Sequence, residues 1–289
     1  MTATLAVVGV DGSGKSTAVA HLRDRLGAGS GLATLHCPRY HDMADAPLAQ
    51  LSRDLDALSV AADGLALRHV KAAALYLQMT LYGPVVRRLT RTLGPRCLVS
   101  DRHPIVDTLA YGPLYTRMLT GERPAAACDA LRARLARRRP GAFERVQAWH
   151  RRVTGHDQPL ADLACDVARI FAAPVGQVLD ELGRRYRTRA PDVVVLLDVD
   201  PTVASTRLAG RGGRGSELHE RVEALTTLRA LYEGALDALR TERPEIDVHR
   251  LDATALSVEE TVDALLDRLP PAAFTPRSAH TPAARDRAR

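Results

Sequence analysis

The sequence predicts an α/β fold, a parallel β-sheet flanked by helices, and three observations carry that expectation. Short apolar runs alternate with longer stretches of helical spacing, as strand–helix–strand units require. Val193-Val194-Val195-Leu196-Leu197 is apolar throughout and rich in β-branched residues, the pattern of a strand buried on both faces. The first apolar run, Leu5-Ala6-Val7-Val8-Gly9-Val10, leads at once into a glycine-rich stretch and then into a helix.

The elements follow in order. After the first strand, Val19, Leu22 and Leu26 mark a helix over 17–26, ended by the turn cluster Gly27-Ala28-Gly29-Ser30-Gly31. Leu32 to Cys37 reads as a second strand, stopped by Pro38. Residues 44–93 read as largely helical, with a kink expected at Gly83-Pro84. Cys97-Leu98-Val99-Ser100 reads as a third strand, with Asp101-Arg102-His103-Pro104 at its carboxyl end. Residues 112–188 are helical but poorly patterned, and read as a helical insertion. Helices fill 201–240, and Asp247 to Leu251 reads as a last strand. The expected organisation is one domain over 1–269, followed by a disordered tail at 270–289 rich in Pro, Ala and Arg.

Composition narrows the class. The chain has 289 residues, 46% hydrophobic and 26% charged, ordinary values for a globular protein. No apolar run nears the ~20 residues of a membrane span, and the N-terminus lacks a basic signal region, so a cytoplasmic chain is expected. Cys37, Cys97, Cys128 and Cys165 form no CxxC pair and read as free thiols. The net charge of +6 invites a nucleic-acid partner. Yet of 40 basic residues only Lys15 and Lys71 are lysine, which with the high alanine content reads as codon bias. Residues 132–152 hold eight arginines against one acid, Glu144, and read as a solvated helical face; nucleic acid is not the expected partner.

Gly9-Val10-Asp11-Gly12-Ser13-Gly14-Lys15-Ser16 fits G-x-x-x-x-G-K-[ST] at every fixed position. Glycines let successive N–H groups face one anion. The next helix presents its positive end to the same anion. Lys15 suits the β- and γ-phosphates, and the Ser16 hydroxyl suits Mg²⁺. The expected fold class is therefore the P-loop NTPase type, binding ATP through Gly9, Asp11, Gly12, Ser13, Gly14, Lys15, Ser16 and Thr17. Asp11 is unusual there: beside phosphates a carboxylate needs a metal, an arginine or a sugar hydroxyl to face.

Several segments carry a resemblance to known families. Val8 through Thr17 resembles the opening of the thymidylate kinases. Cys37-Pro38-Arg39-Tyr40, Val99-Ser100-Asp101-Arg102 and the stretch Pro191-Asp192 to Pro201 resemble further segments of that family. Asp101-Arg102-His103-Pro104-Ile105, with Tyr111 beyond it, and Leu77-Gln78-Met79-Thr80-Leu81 resemble the herpesvirus thymidine kinases of the same superfamily. That second resemblance implies a glutamine, Gln78, on the edge of a thymine base and a tyrosine, Tyr111, stacked on its ring. Arg207 through Glu217 resembles the arginine-rich lid of either family. The matches span 5–111 and 190–235; the 112–188 stretch matches neither family. Members are often dimers, so a homodimer is a further expectation of the resemblance.

The expected roles follow. Lys15, Arg102, Arg207, Arg211 and Arg214 neutralise the transferring phosphoryl group as the catalytic set. Asp101, with Ser16, holds the Mg²⁺ shell, an N-cap being the alternative for Asp101. Asp11, Arg39, Gln78, Arg102, Tyr111 and Glu217 form the acceptor site, and His103 is assigned to structure. A nucleoside hydroxyl profits from a carboxylate base, whereas a monophosphate needs arginines. The place after the second strand, where nucleoside kinases of this superfamily carry a carboxylate, reads Pro38-Arg39-Tyr40, with Asp42 the nearest substitute. The leading expectation is Mg²⁺-dependent transfer from ATP to a pyrimidine deoxynucleoside monophosphate, dTMP to dTDP. The alternatives are a nucleoside or nucleoside-like 5′-hydroxyl as acceptor, and a non-catalytic nucleotide- or nucleic-acid-binding protein.

Overall fold

The computed structural model describes residues 2–27, 29–43, 45–119, 126–210 and 222–273. Five parallel strands lie in the order β2-β3-β1-β4-β5: β1 Ala3–Val8, β2 Leu32–His36, β3 Cys97–Asp101, β4 Val193–Asp198 and β5 Asp247–Asp252. The central strands β3 and β4 are buried at every position, which is why they read as unbroken apolar runs. The edge strand β2 alternates half-buried and buried residues, and β5 is largely exposed. Because side chains alternate across a strand, Leu5 and Val7 face α1 (Lys15–Leu26) and α12 (Val258–Leu266) in one core. Ala6 and Val8 face the larger core on the other side.

That larger core is built from α2 (Ala49–Asp63), α3 (Arg68–Met79), α4 (Tyr82–Leu93), α5 (Pro104–Met118), α9 (Val175–Tyr186) and α11 (Val222–Glu242). The region expected to be largely helical, with a kink at Gly83-Pro84, holds three helices. The helix ends before Gly83-Pro84, and Pro84 falls in the first turn of α4, where its missing N–H costs nothing. A Cβ on Gly83 would lie 2.4 Å from the Tyr186 carbonyl, so glycine is what lets α9 end against α4.

The described part of the 112–188 stretch is mostly helical, and besides α9 it serves three places. Along the end of α5, Gly112 is buried, Pro113 and Leu114 are half-buried, and Thr116 and Arg117 are exposed. The hairpin of α6 (Ala126–Arg138) and α7 (Ala142–Thr154) docks on α2, while α8 (Leu160–Ile170) packs on α3 and α5. The docking has a charged centre: the fully buried Asp54 of α2 accepts from Arg139 Nε at 2.7 Å and from Arg145 Nε at 2.6 Å. Two of the arginines read as a solvated face are thus structural. Trp149 is buried as well, its indole N–H donating to Thr80 Oγ1 at 2.8 Å. Among the described residues no helix is long and apolar enough to cross a membrane.

The chain leaves β1 toward β2 on one side and leaves β3 toward β4 on the other. The order therefore reverses between the carboxyl ends of β1 and β3, where such sheets form a ligand crevice. The phosphate loop follows β1 and Asp101-Arg102 ends and follows β3, so both border that crevice.

Candidate active site

The loop between β1 and α1 needs its glycines. Gly9, Gly12 and Gly14 have φ of +143°, +82° and +92°, conformations that L side chains rarely adopt. A Cβ on Gly12 would stand 2.4 Å from the Ala204 carbonyl of α10 (Pro201–Ala209), so the loop and α10 are in close contact. The helix begins at Lys15, two residues earlier than its apolar spacing suggested, so its amino end sits on the loop itself. Lys15 is buried and folds back across the loop, donating to the Val10 carbonyl at 2.7 Å and to Ser13 Oγ at 3.3 Å. Burial, aided by the Arg102 charge, lowers its pKa to about 8.

Asp101 ends β3 opposite Val7 of β1 and His36 of β2. One carboxylate oxygen, Oδ2, lies 3.5 Å from His36 Nδ1; the other, Oδ1, is buried with no hydrogen-bond partner. A buried carboxylate oxygen without a donor calls for a ligand. Oδ1 beside a phosphate loop, with the exposed Ser16 in the first turn of α1, fits a Mg²⁺ ion. Among the described residues no cluster of three or more His, Cys, Asp or Glu forms a metal cage. Mg²⁺ at such sites is held by one or two protein oxygens plus phosphate and water.

Arg102 stands at the centre. Its φ of +70° is costly for a non-glycine residue, about 1–2 kcal/mol. The conformation is held by its N–H donating to the Val7 carbonyl at 2.9 Å, which ties the end of β3 to β1. The guanidinium is forked: Nη2 donates to Asp11 Oδ1, and Nη1 to Asp107 Oδ1 at 3.1 Å and to Tyr232 Oη at 3.3 Å. Asp107 in turn accepts from Tyr232 Oη at 2.6 Å and from the His103 N–H at 2.7 Å, fixing the start of α5. Burial opposes the charge on Arg102, but Asp11, with smaller contributions from Tyr111, Tyr232 and Asp107, outweighs it and raises the pKa well above the usual value. The Asp11 carboxylate thus faces an arginine, one of the partners its place in the loop demanded.

His103, expected to be structural, lies in the interior. It is buried edge-on to Tyr82, with centroids 4.8 Å apart, and burial alone lowers its pKa to about 3. Its Nδ1 accepts from the Ile105 N–H at 3.3 Å.

A cavity of about 590 Å³ opens from the loop. Of the expected site residues, Asp11, Gly12, Gly14, Lys15, Ser16, Arg39, Gln78, Asp101, Arg102 and Tyr111 all line it. Gln78 comes from α3 and is only 2% exposed, yet among the described residues nothing hydrogen-bonds its amide. Tyr111 of α5 stands edge-on to Tyr232 at 5.9 Å, with Arg102 6.0 Å from its ring centroid. Arg39 lies at the mouth, half exposed, paired with Asp42 at 3.1 Å. Asp42 does not line the cavity.

Some expected residues lie elsewhere. Thr17 is exposed on α1 and does not line this cavity. Arg207, in the last turn of α10, donates to the Thr254 carbonyl at 3.2 Å and the Ala253 carbonyl at 3.4 Å, and does not line the cavity either. Its helix starts directly after β4, so its end lies beside the loop that follows β5. Arg211, Arg214 and Glu217 lie outside the described residues.

Sequence reasoning missed Asp107 and Tyr232, which lock Arg102, and a row of α2 and α8 residues on the cavity walls. Asp107 carried one signal, an acid in the first turn after the Asp-Arg segment. Tyr232 carried none.

No protein-family model matches the sequence, and no curated protein does. Among solved structures, the chain is similar to a deoxyadenosine kinase from M. mycoides with the products dCMP and a flexible dCDP bound. The TM-score is 0.47 at 14% identity, over 91% of this chain and 97% of that one. The same enzyme with bound dATP gives a TM-score of 0.41, again at 14% identity and with the same coverage of 91% and 97%.

Proposed function

We propose that the chain is an ATP- and Mg²⁺-dependent phosphotransferase whose acceptor is a pyrimidine deoxynucleoside monophosphate, dTMP foremost. One observation carries the reading: a single cavity joins the phosphate loop to the buried, unpartnered Gln78, with Arg102 and Arg39 also on its walls. A planar amide offers a donor and an acceptor to a pyrimidine edge, and Tyr111 supplies a ring beside it.

The loop N–H groups and Lys15 grip the β- and γ-phosphates. Ser16 and Asp101 Oδ1 hold the Mg²⁺, which when bound neutralises phosphate charge. Arg102, kept cationic by Asp11, faces the charge that moves between donor and acceptor. The acceptor phosphate oxygen attacks the γ-phosphorus and ADP leaves. That dianion needs no general base, in keeping with Asp42 being occupied by Arg39 outside the cavity. Arg211 and Arg214 complete the reading as lid residues that close over the transfer.

A second reading, transfer to a nucleoside 5′-hydroxyl, has one observation in its favour: the carboxylate of Asp11, in the phosphate loop, lines the same cavity and is a candidate base. A coupled ADP-release assay with dTMP, dUMP, dCMP and thymidine separates the two. We expect dTMP to be the best acceptor. Turnover of thymidine without dTMP would overturn the monophosphate reading, and release of ADP with none of the four would overturn both.

A further inference from the structure

The cavity continues past Gln78, and that extension has a shape. Beyond Gln78 it is bounded by one face each of three helices. Asp56, Ser59, Val60 and Asp63 of α2 sit at i, i+3, i+4 and i+7. Ala164, Val167 and Ala168 of α8, with Phe171 just after it, repeat that spacing. Lys71, Ala72 and Leu75 of α3 form the floor. From Gln78 to Lys71 is seven residues of helix, a reach of about 10 Å at ~1.5 Å per residue.

The two walls differ in chemistry. The α8 wall is wholly apolar, and Phe171 can seat there because Gly112 of α5 has no side chain: a Cβ would fall 1.9 Å from the Phe171 ring. The α2 wall is acidic. Asp63 is paired with Lys71 at 2.6 Å, but Asp56 has no ion pair or hydrogen bond among the described residues. Among the described residues Asp56 is thus the groove carboxylate without an ion pair, although its charge acts on His41.

We infer that the acceptor carries an arm on its base: an aliphatic chain that lies on the α8 wall and ends in an amine facing Asp56. This deepens the nucleotide-kinase reading and rests on it. The arm leaves the ring beside the edge that Gln78 reads. Its methylenes cover Val167, Ala168 and Phe171, and its ammonium group takes the Asp56 carboxylate.

The test uses the full chain with deoxyuridine monophosphates substituted at C5 by aminoalkyl arms of increasing length, their N-acetylated forms, and dTMP. The expected result is a kcat/KM for the best amine-armed acceptor at least about tenfold above that for dTMP, with acetylation removing most of the gain. Asp56→Asn should reduce the armed-to-dTMP ratio to that of the acetylated arm. Ala168→Trp, which fills the groove at a half-buried position, should bring the ratio to one or below. Armed acceptors no better than dTMP, or a ratio untouched by both variants, would overturn the inference and leave the kinase reading standing. Failure of dTMP, thymidine and every armed acceptor to accept phosphate from bound ATP would instead remove the kinase reading, and this inference with it.

Discussion

At one end of the cavity, the consecutive residues Gly9 to Gly14 and the lysine after them, the proposed anion grip, lie between one strand and one helix. At the other end, α2, α3, α5 and α8 each contribute a face, with lining residues spread from Asp56 to Phe171. In the proposed function these are the donor and acceptor ends, and the donor end is set by local backbone chemistry: glycines at positive φ, a helix amino end and a buried lysine. The acceptor end is set by how distant helices pack, and its α2 wall rests on the α6–α7 hairpin through the buried Asp54. The contrast implies that the two ends can be damaged separately.

The largest expected effect is at the donor end. Lys15→Ala should lower phosphoryl transfer by about 10²–10³-fold, while thermal unfolding stays cooperative and undiminished, because Lys15 bonds only within its own loop. A variant that loses less than about tenfold would show that the grip does not need its cation. Next comes the acceptor end: Gln78→Leu should lower kcat/KM for the acceptor by roughly 10–100-fold and leave the Kd for ATP unchanged by calorimetry. Equal losses for donor and acceptor would erase the distinction between the two ends.

Asp54→Ala sharpens the comparison from a distance. It removes the acceptor of two guanidinium groups, which regain water because Arg139 and Arg145 are 27% and 41% exposed. Denaturant melts should show a loss of about 1–3 kcal/mol, with the KM for acceptor raised and ATP binding intact. A weaker grip on ATP in that variant would mean that the hairpin supports both ends.

The smallest effect is on pH dependence. Lys15 has a pKa of about 8 in the free protein, so its cation is lost as pH rises through that value. ATP affinity should fall above about pH 8, with proton uptake on binding visible by calorimetry in buffers of different ionisation enthalpy. The stability of the unliganded fold moves the other way. Between about 8 and the ordinary lysine value of 10.5 the unfolded chain binds more protons, so stability rises with pH there. His103, held near 3, adds an acid limit: its contribution is lost as pH falls from 6.5 toward 3.

The two ends also differ in how far the sequence discloses them. The strands were legible because β1, β3 and β4 are buried and read as apolar runs, and the phosphate loop because its spacing is a backbone requirement. Arg39, Gln78 and Tyr111 were found through resemblance, not periodicity, and all three line the cavity. Asp56, Ser59 and Asp63 were illegible, since a polar stripe at helical spacing looks the same facing solvent or facing a groove. Only packing against α3 and the α6–α7 hairpin decides which it is. Asp54 is the same lesson inside the core: one more acid on a polar helix until Arg139 and Arg145 come round to it. Tyr232 reaches Asp107 across 125 residues of chain, and no local signal spans that distance.

Transfer of a phosphoryl group from the loop to a small molecule held in the same cavity is the core of the proposed function. It is tested most directly by incubating the protein with ATP labelled in the γ-phosphoryl group, Mg²⁺ and dTMP, and separating the products. Label is expected in dTDP, formed by the unaltered chain and lost in Lys15→Ala. Label found only in inorganic phosphate, or in dTDP at the same rate with and without the lysine, would contradict it.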